Sequence, residues 1–128
     1  MKKRLFTILI LSVWIILSAF TGIKEDVTVA LKDGNAFKIS AFFKEQVDIT
    51  ILDESDLLSK LEAEKLLYDF FHVNKPSDFT ILHSGNSRSG QEYNIGTLTT
   101  NNGNFRISIY IKKSENSEFI QQLIIEAE

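Results

Sequence analysis

The stretch SKLEAEKLLYDFFHVN, residues 59–74, carries its apolar side chains at Ala63, Leu66, Leu67, Phe70 and Phe71. Those spacings place all five on one stripe of a helix, the stripe that faces a core. Ser59 and Glu62 form a capping box at the start. Pro76 forbids continuation, and the residue before it is pushed towards an extended backbone.

Upstream, Ile23, Val27, Ala30 and Leu31 mark another helix, with Glu25 and Asp26 in the first turn, where the helix dipole favours acids. Gly34 suits its C-terminal cap and Asn35 can cap the next helix. That helix is expected from Ala36 to about Lys44. Phe37, Ile39, Ala41, Phe42 and Phe43 surround it, so it should be buried. Val47, Ile49 and Ile51 alternate with Asp48 and Thr50, a half-buried strand. Asp53-Glu54-Ser55-Asp56 then reads as a solvated acidic turn. It lacks the glycine and the distal glutamate of a calcium loop.

Downstream, strands are expected at Phe79–Ser84, Tyr93–Thr100, Asn104–Lys113 and Phe119–Glu126. The turn GNSRSG, 85–90, lacks the Gly-Lys-Ser/Thr ending of a phosphate loop and joins strand to strand. Asn102-Gly103 predicts a two-residue type I′ hairpin. Its register would set Leu98 opposite Ile107, Gly96 opposite Ile109 and Ile95 opposite Tyr110. One face then holds Leu98, Phe105, Ile107, Ile109 and Ile111, with Gly96 permitting close approach of a partner. The other holds Tyr93, Ile95, Tyr110, Thr97, Thr99, Arg106, Ser108 and Lys112. In the last strand Phe119, Leu123 and Ile125 share a side with Gln121. Helix, helix, strand, helix and then four strands describe an α+β fold. An antiparallel sheet of about five strands should carry three helices on one face.

Composition adds a compartment. Lys2, Lys3 and Arg4 precede a mostly apolar run from Leu5 to Phe20, the pattern of a secretory signal. The run is short of the roughly 20 residues that span a bilayer. Cleavage within 1–22 is expected, with Leu17/Ala19 or Phe20/Gly22 before the cut, and an uncleaved anchor is the other possibility. The domain 23–128 would then hold 11 basic against 17 acidic residues, a formal charge of −6. Such a surface favours solubility and disfavours nucleic acid. There is no Cys and there are 2 His, so neither a disulfide nor a transition-metal site is expected, and no cofactor is implied.

Candidate chemistry is sparse. Tyr68, Asp69 and His72 cluster on the long helix opposite its apolar stripe. They supply acid–base groups if that side faces a cavity, and are an ordinary solvated face otherwise. His83 stands alone on a strand.

The segments DVTVALKDGNAFKISAFF, AEKLLYDFF, FTILHSG, YNIGTLTTNNGNFRISIYIKK and FIQQLIIE resemble the nuclear transport factor two-like (cystatin-like) superfamily, and within it a branch of small exported domains of unknown function. The resemblance covers nearly all of residues 23–128. It implies a cone-like curved sheet with the helices on its concave face. Enzymes of this superfamily, of the isomerase or dehydratase type, need a carboxylate base and donors inside the cone. The expected core face offers no Asp, Glu, His or Tyr. Gln121 is the polar side chain expected to point inward, with Phe37, Phe42, Phe43, Phe70 and Phe71 filling the cone. Gln121, Phe42 and Phe70 are therefore the candidate lining for a small apolar ligand. Tyr93, Ile95 and Tyr110 on the opposite face are candidates for an interface, including a homodimer. The expected function is that of an exported, non-catalytic binding domain. The alternative is an isomerase- or dehydratase-like enzyme using Tyr68, Asp69 and His72.

Overall fold

The structure, a computed structural model, describes residues 22–114 and 116–128. The expected signal segment, 1–22, lies outside the described residues except for Gly22. Helix α1, Ile23–Asp33, buries Ile23, Val27, Ala30 and Leu31, the periodic positions. Gly34 stops it at φ 64°, and the N–H groups of Gly34 and Asn35 donate to the Leu31 and Ala30 carbonyls. A left-handed residue after the last turn satisfies carbonyls that the helix cannot. Helix α2 is only Ala36–Ser40, capped by Asn35 Oδ1 accepting from Lys38 N. The expected continuation to Lys44 does not form. Ile120 N donates to Phe42 O at 2.8 Å, and β1, Phe43–Ile51, begins at the next residue. Strand pairing takes the backbone groups that a longer helix would have used. Phe37, expected in the core, is 70% exposed.

Six strands form one sheet in the order β2-β1-β6-β5-β4-β3. Beyond β1 they are β2 (Glu54–Ser59), β3 (Pro76–Asn86), β4 (Gln91–Thr100), β5 (Gly103–Ser114) and β6 (Ser117–Ala127). The sheet is mixed, since β1 runs parallel to β6 while the other neighbours are antiparallel. The sixth strand is β2, which forms where an acidic turn was expected. Its two-residue loop, Leu52-Asp53, contains no glycine, yet Leu52 adopts φ 58°. A hairpin loop normally announces such a position with Gly or Asn.

The β4–β5 hairpin closes on Asn101-Asn102, with Thr100 opposite Gly103, Leu98 opposite Phe105 and Gly96 opposite Ile107. This register is shifted by two residues from the expected one. A type I′ loop would need two positive φ angles, and here only Gly103 has one, at 107°. Thr100 Oγ1 instead accepts from Asn102 N and donates to Gly103 O. An even shift preserves alternation, so both faces keep their expected residues.

Helix α3, Lys60–Val73, starts with Ser59 Oγ accepting from Glu62 N at 3.2 Å. Ala63, Leu67, Phe70 and Phe71 are buried, whereas Leu66 lies at the stripe's margin, 37% exposed. Phe70 meets Phe105 edge-on at 5.1 Å and Phe71 at 5.6 Å between ring centres. Edge-to-face contacts add to area burial. The sheet supplies Phe79, Leu98, Ile107, Ile109, Ile111, Ile120, Leu123 and Ile125 to the same core. α1 lies against β3, and α2 against α3.

One bulge redirects β6. Tyr110 pairs with Gln122 and Ile111 with Ile120, so Gln121 is the extra residue. An inserted residue reverses the alternation on its far side. Ile120 therefore turns into the core, while Phe119 and Gln121 turn out. Gln121 does not point inward as expected.

Two substitutions probe this backbone. Leu52→Gly should raise the unfolding free energy by up to about 1 kcal/mol, since a left-handed non-glycine residue costs roughly 1–2 kcal/mol and glycine returns part of that as entropy. Leu52 is 46% exposed, so the buried half of its side chain is also lost, which offsets part of the gain. Denaturant titration checks the sign. Gly96→Ala should instead destabilise by about 1–3 kcal/mol, the range for overpacking. Its Cβ would collide with the Thr80 carbonyl and lie 2.8 Å from the Phe79 ring. A thermal midpoint equal to wild type would refute that close approach.

Candidate functional site

The acid–base candidates are on the outside. Tyr68 is 62% exposed, and Asp69 and His72 are exposed with it. The Tyr68 and His72 rings stack at 6.2 Å on the solvent side of α3. They line none of the space between helices and sheet. Among the described residues, no group of three or more His, Cys, Asp or Glu side chains is placed to hold a metal ion. No helix among them is long and apolar enough to cross a membrane.

The three ligand-lining candidates do not converge. Phe70 is buried against Phe105. Phe42 is half-buried beside a recess of about 340 Å³ that also touches Val29 and Phe37. Gln121 is exposed, and its Oε1 accepts from Gln91 Nε2 at 2.9 Å. It borders a recess of about 410 Å³ on the outer sheet face, among Lys44, Gln46, Asp48 and Gln122. That lining is largely polar, unlike a pocket for an apolar molecule.

The interface candidates do converge. Tyr93 and Tyr110 are direct cross-strand partners, and Ile95 pairs with Ser108. Register extends their row over all six strands as Gly85, Tyr93, Tyr110, Gln122, Asp48 and Leu57. Next to it runs His83, Ile95, Ser108, Ile124, Thr50 and Ser55. Residues opposite one another on a face are near enough to pack. Gly85 leaves room for the Tyr93 ring, which occupies the volume a Cβ there would need. Tyr93, Ile95, Tyr110 and Ile124 are all half-buried, and Leu57 is 60% exposed. At one end Lys44 Nζ sits 4.1 Å above the centre of the Phe119 ring, a cation–π contact. Ile124 and Leu57 were missed as members of this face. The parallel β1–β6 pairing and the unsignalled β2 place them there.

A polar chain at one corner of the concave face was also missed. Lys24 Nζ donates to Ser84 Oγ, and Ser84 Oγ donates to Asn94 Oδ1 at 2.6 Å. Asn94 Nδ2 donates to Glu92, whose carboxylate pairs with Lys113, itself shared with Glu118. Asn94 is 1% exposed, and burial of an amide is tolerable only with such partners. Its parity with Gly96 and Leu98 was the signal that could have placed it in the core.

With this geometry in view, the comparisons with known proteins are specific about family. Residues 24–126 match the model of a domain of unknown function, DUF4783. A crystal structure of a DUF4783 family protein from Bacteroides fragilis YCH46 is 34% identical, with a TM-score of 0.76 over 85% of this chain and 100% of that one. A domain of unknown function with a cystatin-like fold, from Nostoc punctiforme PCC 73102, is 14% identical, with a TM-score of 0.62 over 82% of this chain and 72% of that one. A structure called "Rd1NTF2_04 with long sheet" is likewise 14% identical, with a TM-score of 0.62 over 80% of this chain and 94% of that one, and shares the fold. No curated protein matches. The curved six-stranded sheet, its three helices and the match over nearly the whole described chain agree, and the chain belongs to the DUF4783 family of domains of unknown function.

Proposed function

We propose that this protein is an exported, non-catalytic binding domain that uses the outer face of its sheet to contact a second copy of itself. The observation that carries the reading is the half-buried band of Tyr93, Ile95, Tyr110 and Ile124, continuous across β4, β5 and β6. Aromatic residues ringed by polar ones are the composition of an interface core with its rim. Two such faces can stack at about 10 Å with their strands roughly aligned. A two-fold axis through the band would set each Tyr110 against the same patch of the partner, the self-complementary arrangement of most dimers. Export rests on the basic and apolar N-terminal run.

The concave side supports the same reading by what fills it. Phe43, Phe70, Phe71, Phe79 and Phe105 occupy it together with aliphatic side chains. Among the described residues, the buried polar or charged side chains are Ser40, Asn94, Thr100 and, on the outer face, Ser108, none of them an acid or base. A small apolar ligand lined by Gln121, Phe42 and Phe70 has no common cavity to occupy.

Size measurement of residues 23–128 as a function of concentration tests the proposal. Wild type should sediment as a dimer at high concentration. Tyr110→Glu should weaken association by about 30-fold or more, as loss of a central aromatic anchor does. Its far-UV spectrum should not change, because Tyr110 lies outside the core. A wild type that stays monomeric at high concentration would end the reading.

A further inference from the structure

The turn that closes β4 and β5 also holds the end of α3. Asn102 Nδ2 donates to Val73 O at 2.8 Å and to Asn74 Oδ1 at 3.2 Å. Asn101 Oδ1 accepts from Lys75 N at 2.8 Å, and Asn101 N donates to Lys75 O at 3.1 Å. Asn74 in turn folds back, with N and Nδ2 both donating to Phe70 O. Three asparagines thus tie the last turn of α3 to the hairpin. Val73 ends the helix, so its carbonyl has no partner within α3. Asn102 supplies one from 29 residues away.

Asn102 is exposed and is followed by Gly103, the only Asn-Gly pair in the sequence. Asparagine before glycine is the pair most prone to spontaneous deamidation, because no side chain on the next residue hinders its backbone nitrogen. That nitrogen attacks Cγ of Asn102, forming an N–C bond in a five-membered imide. The Cγ–Nδ2 bond breaks, and ammonia leaves with the proton given up by the Gly103 nitrogen. Water then opens the imide to aspartate or to the isoaspartate linkage, with no net redox change. The leaving nitrogen, Nδ2, is the atom that donates to Val73 and Asn74.

We propose that Asn102 is a deamidation site and that its amide acts as a one-way latch between α3 and the β4–β5 hairpin. In the closed latch the amide is held on Val73 and must let go before Gly103 can attack. The fold therefore slows its own modification. Once formed, the carboxylate has no hydrogen to donate. It stands against two acceptor oxygens at the negative end of a helix, where an added negative charge is disfavoured. The latch cannot close again, and the α3 terminus is released from the sheet. The isoaspartate product adds a backbone atom to a turn that Thr100 and Gly103 hold closed, which opens it further.

Incubation of residues 23–128 in alkaline buffer, with peptide mass mapping over time, reads the rate directly. Conversion should localise to Asn102 and run about tenfold or more slower in native protein than in urea-unfolded chain, since a closed segment reacts only through its open fraction. Asn74→Ala removes one latch partner, leaves Gly103 untouched and should accelerate conversion in the native state. Asn102→Asp should lower the melting midpoint by about 4 °C or more. It should also speed amide exchange at 71–76 and 99–104. Equal native and unfolded rates would overturn the latch, as would an Asn74→Ala rate equal to wild type. An Asn102→Asp protein with unchanged midpoint and exchange would overturn the release.

Discussion

Contact between the apolar stripe of α3 and the concave face of the sheet is the interaction on which the rest of this structure depends. Ala63, Leu67, Phe70 and Phe71 share one core with Leu98, Phe105, Ile107 and Ile109, and Phe70 meets Phe105 edge-on. Full burial of each large side chain contributes roughly 1.5–3 kcal/mol, several times what any surface pair offers. Without α3, the middle strands would turn a continuous apolar face to water. The polar features near the helix serve its seating. Ser59 fixes where it begins, and the asparagine cluster fixes where it ends. Between those points only the stripe can face the sheet, which forces Tyr68, Asp69 and His72 outward.

That orientation divides the protein into a closed side and an open side. The concave side is spent on stability, with one polar corner where Asn94 is held by Ser84 and Glu92. The outer side retains side chains whose burial is incomplete. Phe43, Phe70, Phe71, Phe79 and Phe105 fill the concave side of the sheet. Fold alone does not assign function, and the residues in each layer weigh more than the family architecture.

Much of the fold was legible because its signals are local. The α3 stripe, the Ser59 cap, the α1 periodicity and Gly34 each act over a few residues, and the helices begin and end where these signals imply, with Leu66 alone of the stripe left at the margin. What escaped was decided by distant partners. The end of α2 depends on Ile120 taking the Phe42 carbonyl. The β2 hairpin depends on Leu52 accepting a backbone angle that leucine disfavours, and no residue type announces it. The inversion at Gln121 is a bulge, invisible to alternation counts until β5 and β6 are paired. The outer-face candidates Tyr93, Ile95 and Tyr110 came together as their alternation suggested, since even the two-residue register shift conserved parity. The proposed ligand residues did not, because their placement required the cross-strand details that a sequence withholds.

The parallel union of β1 with β6 bears on how such a chain becomes a protein. β6 is the last strand along the chain and yet lies near the middle of the sheet, between β1 and β5. Until it arrives, the β1–β2 hairpin and the β3–β4–β5 meander share no ladder. The parallel pair joins residues as far apart as Phe43 and Ile120, a long loop to close, and contacts of that span slow folding. Folding is therefore gated by the arrival of β6, and a chain halted before it would hold two unjoined half-sheets. A core that cannot close before β6 is in place leaves the apolar sides of both half-sheets open to water for longer.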